Sequence, residues 1–597
     1  MKDFFKYFLA SLLAIIVSGI LIAIISFSIM GALVSSSVNK QVAVIKENSV
    51  LEIDLNRAIS EIPQSNILSA ITGGSNGYSV GLYDVIRSLE SAKRDDKIKG
   101  IYIKAGGNAN GWATSQQLRN ALKDFKSSGK FVYAYADAIS QNAYYVASVA
   151  DSIFVNPLGG VELKGLSTNI MFLRGLLDKL EVEPQIFYCG KFKSATEPLR
   201  AYKMSEENRT QIAAYQRDFW SEMRVAVSEF SGLESSAIDS IVNLGLVQTS
   251  EDALRFGLVS GIRYKDEFEA SLRKRLGIKE EEKIAYASLS DYKGRLSQKP
   301  SSNQIALLIA EGNIVDGKAG GVNAESVIAS EDFIEEIRKV RRDSNIKAVV
   351  MRVNSQGGSA LASENILREL TLLQQDKKLV VTMGDYAASG GYYIACHADS
   401  IFALPTTITG SIGVFGVMMN TQKLFNNKLG VTFDVEKTAP YADLGNTNRP
   451  MMEQEKKMIQ SGVDTIYKIF KTHVAKGRGM DTAYVDSVGQ GRVWTGAQAL
   501  QLGLIDAIGG LNQAIAAAAQ LAGLENYRVV VYPKQSTDFQ KLMQVINGTS
   551  VPADVFTQAM LQSSMGKGVM NGWTQLNMLL NKPKTVWAML PFVSTTY

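Results

Sequence analysis

The sequence has 597 residues, 46% of them hydrophobic and 20% charged, a globular make-up too long for one ordinary domain. Its 63 basic and 58 acidic residues are spread along the chain, so the net charge of +5 comes without the basic blocks that bind nucleic acid, and no such partner is expected. Two cysteines, Cys189 and Cys396, allow at most one disulfide, and two histidines, His397 and His473, leave little room for a His-rich metal site or a Ser-His-Asp triad.

In chain order, the first feature is an uncharged stretch from Tyr7 to Asn39, whose apolar core from Phe8 to Val34 is long enough to cross a bilayer as one helix. Residues 1–46 therefore read as a short tail and a transmembrane anchor, with the bilayer as partner through residues 7–39. The alternative is a cleaved secretory signal, but Ser35 to Ser37 make a poor cleavage site. Lys2 and Lys6 favour a cytoplasmic N-terminus, and Lys40 and Lys46 nearly balance them. A short tail is easier to retain than to translocate, which puts the bulk of the chain on the extracytoplasmic side of an inner membrane.

Beyond the anchor, the segment IKGIYIKAGG (98–107) is echoed by IKAVVMRVNSQGG from Ile346, and NAYYVASVADSIFVNP (142–157) by GGYYIACHADSIFALP (390–405) at the same register. TSEDALRFGLVSGI from Thr249 likewise matches TGAQALQLGLIDAI from Thr495. Several matches at nearly one offset indicate a duplication. Each unit alternates short β-rich runs with helix-period segments, which predicts βαβ crossovers and mainly parallel sheets. The polar stretch from Ser288 to Asn303 separates the units, giving a first repeat over 47–297, a linker at 298–303 and a second repeat over 304–535. The tail, 536–597, has no repeat partner; packing onto its own core is the commoner explanation of its scattered apolar residues, and an oligomer contact and a membrane contact are the alternatives.

In the second repeat, RVNSQGGS (352–359) sets a glycine pair after an apolar strand, where backbone N–H groups can face an anion. Further on, Ser389 in GDYAASGGYY is followed by Gly390 and Gly391 at a strand-to-helix turn. That position suits a nucleophile whose following N–H holds an oxyanion, although a serine there can also simply cap a helix. His397, before a strand-like DSIF run, reads as structural.

RVNSxGG, GDxAASGGYY, TGSIGVFG (409–416) and GRVWTG (491–496) together resemble the signal peptide peptidase A family in its long, duplicated form, which also begins with a membrane anchor. The resemblance implies two tandem domains similar to the Clp protease and crotonase superfamily. It also implies a serine endopeptidase with a Ser/Lys dyad that cleaves remnant signal peptides and other apolar peptides, without cofactor or metal, in a homo-oligomer, a tetramer by the same likeness. Carried over by motif, Ser389 is the nucleophile, Lys193 in GKFKSATEP the general base, Gly358 and Gly390 the oxyanion donors, and Ser411 the residue that orients the lysine. Gln356 stands where the family usually has proline, which bears on loop rigidity rather than on the donors. A lysine base must be neutral near pH 7, which burial provides; Lys191 is the rival, since in a strand it would share a face with Lys193.

The repeat offers its own test of this assignment. The first-repeat position equivalent to Ser389 is Gln141, and the second-repeat position equivalent to Lys193 is Ala442. Complementary loss is expected where one composite site is assembled from both repeats. A crotonase-type acyl-CoA enzyme and an inactive membrane scaffold are the competing readings.

Overall fold

The computed structural model describes residues 6–7, 13, 17–21, 45–63, 80–293, 296, 300–319, 327–534, 587–589 and 595–596. The anchor expected over 7–39, part of the linker and most of the tail lie outside the described residues. Among the described residues, no helix is long and apolar enough to cross a membrane.

The first sheet is built from β1 (Ser49–Asp54), β2 (Ile98–Lys104), β3 (Phe131–Ile139), β4 (Ser152–Val161), β7 (Gly261–Ile262) and β8 (Tyr286–Ser288). Its order is β7-β4-β3-β2-β1-β8, and every pairing is parallel. The second sheet contains β9 (Gln304–Glu311), β12 (Ile346–Ser355), β14 (Lys378–Ala388), β15 (Ser400–Ala403), β16 (Ile408–Gly410), β18 (Val493–Thr495), β19 (Ala507–Ile508) and β20 (Arg528–Tyr532). Its path β19-β15-β14-β12-β9-β20 repeats the first sheet strand for strand, so the duplication read from the sequence is a duplication of topology. These strands read as continuous apolar runs because helices cover both faces. In β12, Val349, Met351 and Val353 join one apolar cluster while Ala348 and Val350 join the opposite one.

The two repeats share core. Leu82, Tyr83 and Ile86, on the helix Leu82–Arg94 of the first repeat, pack with Ile305, Leu307 and Ile309 of β9, while Val85 and Leu89 of the same helix face their own repeat. Each such side chain taken fully out of water contributes about 1.5–3 kcal/mol, which holds the halves in a fixed relation. Polar contacts add register across the boundary: Arg352 Nε donates to Glu61 Oε1 at 2.9 Å, and Thr114 N to Asp385 Oδ1 at 2.9 Å.

A third, mixed sheet joins the halves where the chemistry lies. It runs β11 (Val327–Ala329), β10 (Asn313–Val315), β13 (Gly357–Ser359), β21 (Trp587–Met589), β17 (Phe415–Asn420) and β6 (Glu183–Tyr188). Thus β6 of the first repeat lies antiparallel to β17 of the second, pairing Tyr188 with Phe415 and Glu183 with Asn420. From the tail, β21 lies antiparallel to β13, and β22 (Thr595–Thr596) antiparallel to β5 (Thr168–Asn169).

Candidate active site

Ser389 sits between β14 and the helix Gly390–Ala395, fully buried, with φ 57° and ψ −115°. A non-glycine residue at positive φ costs of order 1–3 kcal/mol and persists only where the surroundings enforce it. Here Ser389 N donates to Gly410 O at 2.8 Å, and Tyr393 N donates back to Ser389 O at 2.8 Å. The hydroxyl makes no capping bond to the helix it precedes, so the alternative role as a helix cap does not apply.

Lys193 reaches Ser389 from the other repeat. Its Nζ lies 3.0 Å from Ser389 Oγ and 2.9 Å from Ser411 Oγ, and all three side chains are buried within one chain. Ser411 Oγ in turn donates to Gly491 O at 3.2 Å. Burial is what moves the lysine: desolvation lowers its pKa from 10.5 to about 7. Lys191 does not compete. After β6 the chain turns at Gly190, φ +90°, so the two-residue period ends there, and Lys191 is exposed with its Nζ 5.8 Å from the Phe192 ring.

Two glycines let the lysine loop come so close. A Cβ on Gly190 would stand 2.3 Å from the Gln490 carbonyl carbon, and one on Gly491, itself at φ +74°, would stand 2.7 Å from Lys193 Cβ. The loop is also held by Gln211, whose Nε2 donates to Ser194 Oγ at 2.8 Å while its Oε1 accepts from Val493 N at 3.2 Å. Gln211 carries no signal in the sequence, because nothing local marks a glutamine as a clamp between distant segments, and Gly491 stands in the GRVWTG motif with no role assigned to it.

Gly358 and Gly390 meet beside the serine. A Cβ on Gly358 would strike Ile314 O at 1.9 Å, so glycine is required there, and one on Gly390 would crowd Ser363 Oγ at 2.8 Å and Gly358 N at 3.1 Å. Ser355 Oγ accepts from Gly357 N at 3.1 Å and holds the turn around Gln356, which stands where the resembled family usually has proline. Arg352, named in the motif without a role, is buried and ties this strand to its neighbour by donating from Nη1 to Met383 O at 2.7 Å.

Neither complementary position carries a nucleophile or a base. Gln141 Oε1 accepts from Lys164 N at 2.8 Å and Gly165 N at 3.0 Å, so its side chain closes the space beside its own helix. Ala442 lies on an exposed segment. Cys189 and Cys396 are both free thiols. His397 bonds to Thr371 Oγ1 at 3.4 Å and His473 O at 3.1 Å, a structural setting.

Comparison with known proteins gives a family model described as peptidase family S49, matched twice, at residues 124–279 and 371–525. A chloroplastic serine protease SPPA of Arabidopsis thaliana is 32% identical over 84% of this chain and 74% of its own length. Protease 4 of Salmonella typhi is 34% identical over 78% of this chain and 76% of its own length. Protease 4 of Haemophilus influenzae is 34% identical over 76% and 75%.

Proposed function

The chain belongs to peptidase family S49 and is a serine peptidase, and on that premise we propose that Ser389 is its nucleophile and Lys193 its general base. The observation that carries this reading is the 3.0 Å approach of Lys193 Nζ to Ser389 Oγ in a buried setting. Neutral Lys193 donates to Ser411 Oγ and turns its lone pair to the Ser389 hydroxyl. As Oγ attacks the scissile carbonyl, Nζ takes the proton, and the Gly358 and Gly390 N–H groups hold the developing oxyanion. The ammonium then protonates the departing amine, leaving an acyl-enzyme on Ser389. Water, activated by the same lysine once neutral, hydrolyses the ester.

The substrate in this reading is an extended peptide lying antiparallel to β13. An extended piece of the same chain, Trp587–Met589, already pairs with Gly357–Ser359 in that manner, with Ala588 opposite Gly358. Remnant signal peptides and similar apolar segments are the substrate class. The uncharged stretch 7–39 anchors the enzyme in the inner membrane, where such peptides arise, with the catalytic repeats on the extracytoplasmic side, in a homo-oligomer. The two domains take the Clp and crotonase likeness of their repeated βαβ topology. The test is hydrolysis of an apolar peptide by purified Ser389→Ala: complete loss with an unchanged unfolding transition is expected, and wild-type turnover would remove the assignment.

A further inference from the structure

A turn behind the base is braced in one repeat and left unbraced in the other. Residues 489–491 follow the helix Thr482–Val488, and Gln490 stands there at φ +52°, which a side chain other than glycine adopts only where its surroundings enforce it. The turn backs onto the lysine loop and onto Ser411. Gln490 O accepts from Phe192 N at 2.9 Å, Gly491 O accepts from Ser411 Oγ at 3.2 Å, and a Cβ on Gly491 would stand 2.8 Å from Lys193 Cα. The bracing comes from the far side. Tyr467, buried on the helix Glu453–Arg478, donates from its hydroxyl to Asp486 Oδ1 at 2.9 Å and accepts from Gln490 N at 3.2 Å. Asp486 Oδ2 accepts from Gln490 Nε2 at 2.9 Å, and Lys471 Nζ donates to Asp486 Oδ1 at 2.7 Å.

The duplication supplies a control. The helices Glu206–Ser231 and Glu453–Arg478 have 26 residues each and end on the left-handed glycines Gly232 and Gly479, so Trp220, Arg224 and Asp239 are the counterparts of Tyr467, Lys471 and Asp486. The acid keeps both partners: Asp239 accepts from Trp220 Nε1 and from Arg224 Nη1, each at 2.8 Å. An indole N–H donates and cannot accept, so Trp220 offers no partner to the N–H of the turn that follows. The residue at that turn is Leu244, 70% exposed and at φ −96°, with no strain to hold. The acid and its two donors thus serve helix packing in both repeats. The accepting hydroxyl, the glutamine and the strained turn occur together only where Lys193 has to be held.

We propose that Tyr467, Asp486 and Gln490 are positioning residues for peptide hydrolysis: they press the 489–491 turn onto Lys193 and Ser411, which keeps water from the lysine amine and the amine against Ser389. None of the three touches the reacting atoms, and the proposal rests on the Ser389/Lys193 reading given above. If the turn loosens, water reaches the amine, and the desolvation that holds Lys193 at about 7 is relieved towards 10.5. A rise of about one unit cuts the neutral fraction at pH 7 from about one half to about one eleventh, roughly fivefold, and leaves it nearly unchanged at pH 9.5. The groups that face the turn are Lys471, Arg492, Tyr467 and Asp486, with Cys189 and Asp464 beyond Tyr467. Burial pushes the Tyr467 phenol up and the Cys189 thiol up to about 12. Against desolvation, the bonds from Lys471 and Tyr467 hold Asp486 below the usual carboxylate range, so these three keep their charge between pH 7 and 9.5.

The test measures fluorophosphonate labelling of Ser389 and peptide hydrolysis by the full-length protein at pH 7 and pH 9.5. Tyr467→Phe deletes one hydroxyl and keeps the buried ring. Labelling about fivefold slower than wild type at pH 7 and within about twofold of it at pH 9.5 is expected, with kcat lowered and KM unchanged at pH 7. Gln490→Gly removes the side-chain bond to Asp486 and suits φ +52°, so it folds without strain and should give the same pattern. Trp220→Phe breaks the corresponding bond of the first repeat and should label like the wild type at both pH values. If Tyr467→Phe does not fold, Gln490→Gly decides. With Ser389 of the wild type labelled, the proposal is overturned by deficits equal at both pH values, by a raised KM with kcat intact, by an equal deficit in Trp220→Phe, or by wild-type labelling of both variants at pH 7. A wild type that does not label at Ser389 overturns the dyad and this proposal with it.

Discussion

Replacing Lys193 by methionine should abolish hydrolysis and stabilise the fold. The lysine is buried, and its pKa falls from 10.5 to about 7, so near neutrality folding must strip a proton that the unfolded chain keeps. At about 1.4 kcal/mol per pH unit, that costs about 5 kcal/mol at pH 7. Against it stand the hydrogen bonds of Nζ with Ser389 and Ser411, at 3.0 and 2.9 Å, together about 1–3 kcal/mol. Methionine fills a similar volume, and both serines keep a backbone carbonyl as partner, Gly413 O for Ser389 and Gly491 O for Ser411. A net gain of about 2–4 kcal/mol at pH 7 follows. Between pH 7 and 10.5 the unfolded wild type binds the extra proton, so wild-type stability rises with pH while the variant lacks that rise. Chemical unfolding of both proteins at pH 7 and pH 9.5 is the assay, and the advantage should shrink by about 3 kcal/mol between them. A variant less stable at pH 7, or an advantage equal at both pH values, would refute the reasoning that desolvation sets the state of this lysine.

Gly491→Ala should cost at least about tenfold in kcat/KM, since its Cβ would meet Lys193 Cβ at 2.7 Å and the backbone holds φ +74°, and small displacements of a base are felt directly in rate; peptide hydrolysis under matched folding checks it. Ser411→Ala leaves nucleophile and base in place and should lower kcat less than either dyad substitution, with the apparent pKa of the rate profile displaced because Nζ loses one of its two hydroxyl partners. Co-expressed Ser389→Ala and Lys193→Ala chains should show no rescue, because the two side chains meet within one chain; activity above that of either variant alone, with mixed assembly confirmed by pull-down, would contradict this.

Much of the architecture was legible because duplication writes the same strand order twice, and buried parallel strands announce themselves as apolar runs such as Ala348 to Met351. Ser389 was legible for a local reason: a strand, a turn and two glycines are contiguous in sequence. Lys193 was legible only through its motif, since periodicity put Lys191 on the same footing until the turn at Gly190 separated them. What escaped is what depends on segments distant in sequence. Gln211 bridges Ser194 and Val493, Gly491 makes room for Lys193, and Glu61 meets Arg352 across the boundary between repeats. Gln211 and Glu61 carry no local pattern, Gly491 and Arg352 stand in motifs that do not tell their roles, and each acquires its role only once the halves are docked. The pairing of β6 with β17 across the halves escaped too, although the alternation in Glu183–Tyr188 reads as a strand, because its partner lies in the other repeat.

The central claim is that a lysine kept neutral by burial activates Ser389, and the most direct measurement is the rate of covalent modification of the full-length protein by a fluorophosphonate as a function of pH. The modified residue is identified by mass spectrometry. Only the neutral lysine can accept the hydroxyl proton, so the rate should rise about tenfold per pH unit below pH 7 and level off above it, with an apparent pKa of about 7. The label should sit on Ser389, and Lys193→Met should remain unlabelled. A label on another serine, or a rate that keeps rising towards pH 10 as for an ordinary solvated lysine, would contradict the account.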